Sequence, residues 1–347
     1  MKIDFNIDLL KEMIDTKMVR VSKHTSANLW IYNYTEICQF SRMWNDVTSQ
    51  CRGLILDDEF NIVARPFRKF HNYEELDPSQ IPNLPFEVYQ KMDGSLGIMY
   101  WINDVPYIAT RGSFESEQAI HATKILHKRL SESPNLIAKY NRDATHLFEI
   151  IYPENRIVVN YGNFDNLIML AIIDNRTGRD LLLHNGGFPI VKKYDGLTDL
   201  NEILELQQEN EEGFVIKFSN DFRVKIKFDE YKRLHKIITG TSTLSIWESL
   251  MENNSLEKLL EDVPDEFYNW TKETSDGLYS KYHQIERDCK ESYRYFDNRK
   301  EAAEYFKTQK YPHILFKMMD GKDYSKDIWK LIRPVFSKAF ANEAEIQ

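Results

Sequence analysis

The periodicity of the chain changes once, near residue 230, and that change bounds the fold more tightly than any single motif. From Ile31 to about Phe228, β-branched and aromatic runs are separated by turn residues: Gly53–Leu56, Phe86–Gln90, Gly97–Ile102, Tyr107–Arg111, Leu147–Ile151, Leu167–Ile173, Phe214–Phe218 and Phe222–Phe228. Helical patterns interrupt them at Glu115–Glu132 and Leu200–Gln208. After Tyr231 the apolar residues recur at helical spacing, as Leu244, Trp247, Leu250 and Met251, then Phe267, Trp270, Leu278, Tyr282, Ile285 and Cys289. Thr241-Ser242, behind Gly240, supplies a helix N-cap. The expectation is an α+β domain of antiparallel sheets with flanking helices over 1–240, followed by an all-helical C-terminal domain over 241–347.

With 347 residues, 42% hydrophobic and 13% aromatic, the chain can bury a core in each domain, which excludes wholesale disorder. No apolar run approaches the ~18 residues of a membrane span, and the first 14 residues lack the apolar centre of a secretory signal. Three distant cysteines, Cys38, Cys51 and Cys289, form no CxxC pair, which argues against a disulfide framework or a structural zinc site. These features predict a soluble cytoplasmic protein with no membrane partner. The net charge of −9 excludes loose coating of a nucleic-acid backbone as the main activity. It leaves open a local basic cleft, because a few lysines converging on one site outweigh the total.

Two segments point to such a cleft. Lys91-Met92-Asp93-Gly94-Ser95 follows the run Phe86–Gln90, placing a lysine between two strands, with a glycine that permits close approach of a ligand. A lysine there can act as a covalent nucleophile once its amine is neutral, which nearby positive charge or desolvation favours. The competing reading is a polar hairpin turn. In Phe222–Phe228, Val224, Ile226 and Phe228 alternate with Arg223, Lys225 and Lys227, putting three cations on one strand face. Such a face either protects a sheet edge or binds polyphosphate. Glu211-Glu212-Gly213 opens the preceding strand, hairpin-paired through Ser219-Asn220-Asp221, and an acid there could hold a divalent metal. Glu149 lies in the apolar run Leu147–Ile151, where a carboxylate needs a partner or a ligand.

The ordered series of these segments resembles the RNA ligase 1 family of T-even phages, the ATP-dependent, tRNA-repair branch of the covalent nucleotidyltransferases. Lys91–Ser95 resembles its motif I. Ile31-Tyr32-Asn33-Tyr34, Cys51-Arg52-Gly53 and Arg65-Pro66-Phe67-Arg68-Lys69-Phe70 precede it, and Thr110-Arg111-Gly112-Ser113 stands at motif Ia. Phe148-Glu149 with Asn155-Arg156-Ile157-Val158 resembles motif III and its extension, Asn166–Ala171 motif IIIa, Glu212-Gly213 motif IV, and Lys225-Ile226-Lys227 with Tyr231 motif V. Two positions depart from the pattern: Arg111 replaces a lysine, and His71 replaces an aromatic residue. Both leave substrate preference more open than the reaction.

The resemblance implies that Lys91 is adenylylated by ATP, and that Arg52 and Lys69 contact phosphates. Tyr32 lines the nucleotide site, Glu149 holds the ribose, and Glu212 acts near the metal. Lys225 and Lys227 bind the α-phosphate and its neighbours and depress the pKa of Lys91, with Tyr231 beside them. Asp93, Gly94 and Arg111 complete the implied ATP site. Magnesium, with manganese as an alternative, accompanies ATP. The partner is RNA with 5′-phosphate and 3′-hydroxyl ends, nicked tRNA among the candidates, joined by a monomer through lysyl-AMP and an adenylylated RNA end. Rival readings are a DNA ligase or capping-type nucleotidyltransferase and a catalytically inactive nucleic-acid-binding relative. The helical turn after Tyr231, where the first rival would carry an OB-fold, counts against it.

Other features read as bland. His121 and His127, six apart, are expected to be solvated, and the sequon Asn175-Arg176-Thr177 is incidental. Beyond residue 240 the chain carries 20 acidic against 16 basic residues. Lys281, Lys290, Arg294, Arg299 and Lys300 are therefore read as a solvated helix face.

Overall fold

The computed structural model describes residues 3, 5–252, 254, 256, 259, 260 and 263–339, without the side chains of 265 and 266. The chain divides into two compact units, Met1–Lys232 and Arg233–Gln347.

In the first unit a helix precedes the first sheet. Helix α1 (Ile7–Asp15) starts at Asn6, whose side chain accepts the Asp8 and Leu9 amides. It buries Leu10 and Met13 against Val19, Tyr32, Val47, Cys51, Leu54 and Leu56. Strands β1 (Val19–Lys23), β2 (Leu29–Tyr34), β3 (Arg52–Asp57) and β4 (Ile62–Ala64) form an antiparallel sheet in chain order. Helices α2 (Glu36–Phe40) and α3 (Asp46–Gln50) bridge β2 and β3. Next come β5 (His71–Asn72), β6 (Phe86–Lys91), β7 (Ser95–Ile102), β8 (Val105–Ala109), helix α4 (Glu117–Glu132), β9 (Ala144–Ile151) and β10 (Asn166–Asp174). Strands β7–β10 form a second antiparallel sheet, ordered β10-β9-β7-β8. One apolar cluster joins Ile98, Tyr100, Ala109, Leu147, Ala171 and Ile173 to Ile31 and Ile55 of the first sheet. Another gathers Met99, Ile108, Phe148 and Ile150 with Ala122 and Leu126 of α4, which Ser116 caps. The polar strand β11 (Lys193–Tyr194), a short helix α5 (Leu200–Glu205), β12 (Gly213–Phe218) and β13 (Arg223–Lys227) follow. The third sheet is ordered β11-β6-β12-β13-β5 and is antiparallel except for the two-residue parallel pairing of β13 with β5.

The connection after Lys91 is not a hairpin. Strands β6 and β7 belong to different sheets, so Met92-Asp93-Gly94 carries the chain from one sheet to the other. A tight turn would have paired the strands; here the glycine serves a crossing.

Helix α6 (Asp229–Gly240) precedes the helix expected behind the Thr241-Ser242 cap, and the division between units falls within it rather than at 240. In the second unit Ser242 caps α7 (Thr243–Met251), followed by α8 (Asp265–Ser292), α9 (Arg299–Phe306), α10 (Pro312–Met319) and α11 (Ser325–Leu331). Trp247 donates its indole N–H to the Trp329 carbonyl at 2.8 Å inside a cluster with Ile246, Leu250 and Leu278. Ile285, Phe306, Ile314 and Ile328 anchor a second cluster. The α+β class with antiparallel sheets and a helical C-terminal region is as the sequence predicts. Among the described residues no helix is long and apolar enough to cross a membrane.

Candidate active site

Lys91 is the last residue of β6 and stands opposite Gly213 of β12. Its Nζ donates to Glu212 Oε2 at 2.6 Å, and Lys227 Nζ lies 2.8 Å from the other oxygen, Oε1. Gly213, at φ +144°, permits this clasp: a Cβ there would lie 2.0 Å from the Ile226 carbonyl oxygen. Glu212 is 3% exposed. Burial opposes its ionisation, but the Lys91 and Lys227 ammonium groups outweigh it and hold the carboxyl below the ordinary range.

Asp93 and Gly94 set the segment beyond the lysine. Asp93 is buried; its Oδ2 accepts the amides of Val158 and Val159, both at 2.8 Å, and its Oδ1 accepts the Tyr231 hydroxyl at 2.7 Å. Its own N–H donates to the Tyr161 hydroxyl at 2.8 Å. Asp93, expected at ATP, is thus a positioning residue that ties the crossing to α6 and to the segment after β9. Gly94 donates to Glu149 Oε1 at 3.0 Å, and a Cβ on it would meet the Ile150 carbonyl oxygen at 2.5 Å. Burial pushes the Glu149 carboxyl up to about 8, against the lowering effect of Lys91, so it is protonated near neutrality.

Around this core stand cations without acids. Arg52 has its guanidinium carbon 5.4 Å from the Phe70 ring centroid, and its Nη1 is buried with no hydrogen-bond partner. Arg111 donates to the Tyr34 hydroxyl at 3.1 Å and lies 5.1 Å from that ring. Lys69 Nζ is 5.2 Å from the Trp44 ring and donates to the Phe70 carbonyl at 3.3 Å. Among the described residues no acidic side chain forms a salt bridge with Arg52, Lys69, Arg111 or Lys225. Burial, then Lys69, Lys91, Lys227 and Arg52, bring the Lys225 ammonium down to about 7. Burial likewise lowers Lys69, Glu75 being too weak to offset it along with Arg52 and Arg111.

Several expectations need correction. Tyr32 is 6% exposed in the apolar cluster with Leu10 and Cys51; in the same strand it is Tyr34 that touches Arg111, while Lys227 Nζ lies 4.9 Å from the Tyr231 ring. Arg223 leaves the triplet with Lys225 and Lys227, pairing with Asp180 and lying 4.7 Å from the Phe67 ring. Both Glu212 oxygens hold ammonium groups, and among the described residues no cluster of His, Cys, Asp or Glu could hold a metal. Glu212 therefore does not fit the direct metal ligand expected. His121 and His127 are not simply solvated: His121 Nε2 is 2.7 Å from Asp165 and its ring 4.1 Å from Tyr152, while His127 Nε2 meets the Pro106 carbonyl at 2.7 Å. His71 supplies an aromatic contact after all, edge-on to Trp44 at 5.6 Å. Trp44 and Tyr161 carried no signal in the sequence, since only tertiary structure brings them to the site.

An amine held by a buried acid, inside an excess of positive charge, suits attack on a phosphate whose leaving group is a polyanion. A family model described as RNA ligase matches residues 50–231. The chain is 30% identical over 258 residues to a putative bifunctional polynucleotide kinase/RNA ligase of Autographa californica nuclear polyhedrosis virus, covering 65% of this chain and 36% of that protein. It is 28% identical over 248 residues to a putative RNA ligase of Thermovibrio ammonificans, covering 66% of this chain and 63% of that protein. The chain thus spans less than two thirds of the length of either relative. An archaeal ATP-dependent RNA ligase structure is 15% identical, with a TM-score of 0.49, over 87% of this chain and 86% of that one.

Proposed function

The chain belongs to the T4-type RNA ligase family, and from that premise we propose that it is an ATP-dependent RNA ligase with Lys91 as nucleophile. The carrying observation is the clasp of Lys91 and Lys227 by one buried acid, Glu212, beside four cations that lack acids. Lys91 gives up its ammonium proton to solvent while Glu212 holds the amine in place. The freed amine attacks the α-phosphorus of ATP; the N–P bond forms as the P–O bond to pyrophosphate breaks. Arg52, Lys69, Arg111, Lys225 and Lys227 receive the departing charge, which water would screen less well in this half-buried setting. Magnesium or manganese accompanying ATP would supply further neutralisation of the phosphate charge. An RNA 5′-phosphate oxygen then attacks the lysyl-AMP phosphorus, the N–P bond breaks, and the proton returns to Lys91. Finally the RNA 3′-hydroxyl displaces AMP. Glu149, protonated at neutral pH, donates to the nucleoside sugar.

Residues 1–240 are assigned the adenylyl transfer and 241–347 the choice of RNA, with nicked tRNA in the cytoplasm as substrate of a monomer. The test is sealing of matched 5′-phosphorylated RNA and DNA with ATP and magnesium. RNA joining through a transient adenylylated strand is expected. Preference for DNA favours the DNA-ligase rival, and ATP binding without transfer favours the inactive relative.

A further inference from the structure

The cations of the site do not end at the nucleotide. Arg20 of β1 stands opposite Asn33 of β2, and Asn33 stands opposite Arg52 of β3. Directly opposed residues in antiparallel strands share a face, so the three form one row across the first sheet. A bulge makes the row: the register shifts between Tyr32 and Asn33, leaving Gly53 as the extra residue at φ +95°. Gly53 must be glycine, because a Cβ would lie 2.3 Å from Ile98 Cδ1 and 3.1 Å from Arg111 Cα. The same approach brings the 110–113 segment over the row. A Cβ on Gly112 would lie 2.8 Å from Arg20 Nη2 and 3.8 Å from Asn33 Nδ2. Arg20, Arg52 and Arg111 thus converge from two sheets, and among the described residues no salt bridge neutralises them. Two buried polar atoms of the row are orphaned: Arg52 Nη1, a donor, and Asn33 Oδ1, an acceptor on a residue 6% exposed. A buried orphan destabilises the fold unless a ligand satisfies it.

We propose that this row is a subsite for a sugar-phosphate unit of the RNA strand, with Arg20 its outer phosphate contact and Asn33 Oδ1 accepting a ribose hydroxyl. The proposal rests on the RNA-ligase reading and names where that ligase holds its polynucleotide. A phosphate could also come from ATP. RNA is favoured because Arg20 is exposed on the edge strand of the sheet, whereas Lys91, Lys225 and Lys227 lie on the third sheet. A backbone phosphate accepts bidentate guanidinium bonds, and a ribose 2′-hydroxyl, which deoxyribose lacks, can donate to a lone amide oxygen.

The test separates the steps. Arg20→Ala, Arg20→Lys and, as a control, Lys23→Ala on the same strand are assayed for lysyl-AMP formation at varied ATP and for sealing of pre-adenylylated RNA at varied salt. Arg20→Ala is expected to slow sealing about tenfold, with the salt slope of RNA binding smaller by about one unit. Its lysyl-AMP formation is expected to match wild type; Arg20→Lys recovers part of the sealing and Lys23→Ala loses nothing. A raised KM for ATP in Arg20→Ala would assign the row to ATP and overturn the proposal. Wild-type sealing by Arg20→Ala would also overturn it. Absence of lysyl-AMP in the wild type would instead fail the ligase reading itself.

Discussion

The same side-chain types do opposite things in the two units. In the helical unit the cations meet acids at the surface: Arg299 with Asp320 at 2.7 Å, Lys290 with Glu286 at 3.1 Å and Lys310 with Asp288 at 3.5 Å. Such pairs contribute little, since solvent already stabilises both partners. In the first unit Arg52, Lys69, Arg111 and Lys225 form no salt bridge among the described residues, and the buried acid Glu212 beside them is already held by Lys91 and Lys227. The overall charge of −9 conceals this imbalance. Uncompensated charge inside a half-buried site destabilises the empty protein and is retained only where an anion supplies the balance.

The comparison breaks first at the nucleophile. Lys91→Ala is expected to lose lysyl-AMP formation altogether, by more than about 10³-fold, as read by labelled ATP on a denaturing gel. Lys225→Met is expected to cut the same step roughly 100-fold while raising the stability of the empty protein by about 1–2 kcal/mol; a denaturant melt reads the gain. The folded protein gives up the Lys225 proton near 7, below the ordinary 10.5. Stability attributable to this group therefore rises from pH 7 towards 10.5, and pyrophosphate should erase the dependence. Glu149→Leu is expected to slow adenylylation roughly 10- to 100-fold, whereas Glu149→Gln, which keeps a donor, stays near wild type. Equal losses would mean that the carboxylate acts ionised.

His146 offers a smaller, purely structural contrast. It is fully buried with both ring nitrogens unpartnered, and burial, reinforced by His184, holds it down to about 4. The unfolded chain takes up a proton below 6.5 that the fold refuses, so stability falls as pH drops from 6.5 towards 4. His146→Phe is expected to flatten that limb in acid melts. The smallest effect belongs to the helical unit: Arg299→Ala should change neither adenylylation nor melting temperature measurably.

Much of this was legible in the sequence because β13 is short, alternating and next to its hairpin partner, so Lys225 and Lys227 could be assigned a face from period alone. Lys91 and Glu212 were legible singly; their 2.6 Å contact was not, since 121 residues separate them. Tyr32 and Tyr34 share strand parity, so alternation could not choose between them, and helix α1 with Val47 and Cys51 claimed Tyr32 for the core. Strand β1 and helix α1 escaped because each is short and packs into a cluster supplied largely by other elements. The row through Asn33 depends on a one-residue bulge, which no local pattern announces.

The most direct test of the account is peptide mapping of the protein after incubation with ATP and magnesium, locating the adenylate by mass spectrometry. The clasp by Glu212 and the place of Lys91 at the end of β6 predict AMP on Lys91 alone. Lys225, with its ammonium brought down to about 7, is the rival amine, and adenylate found there would contradict the account.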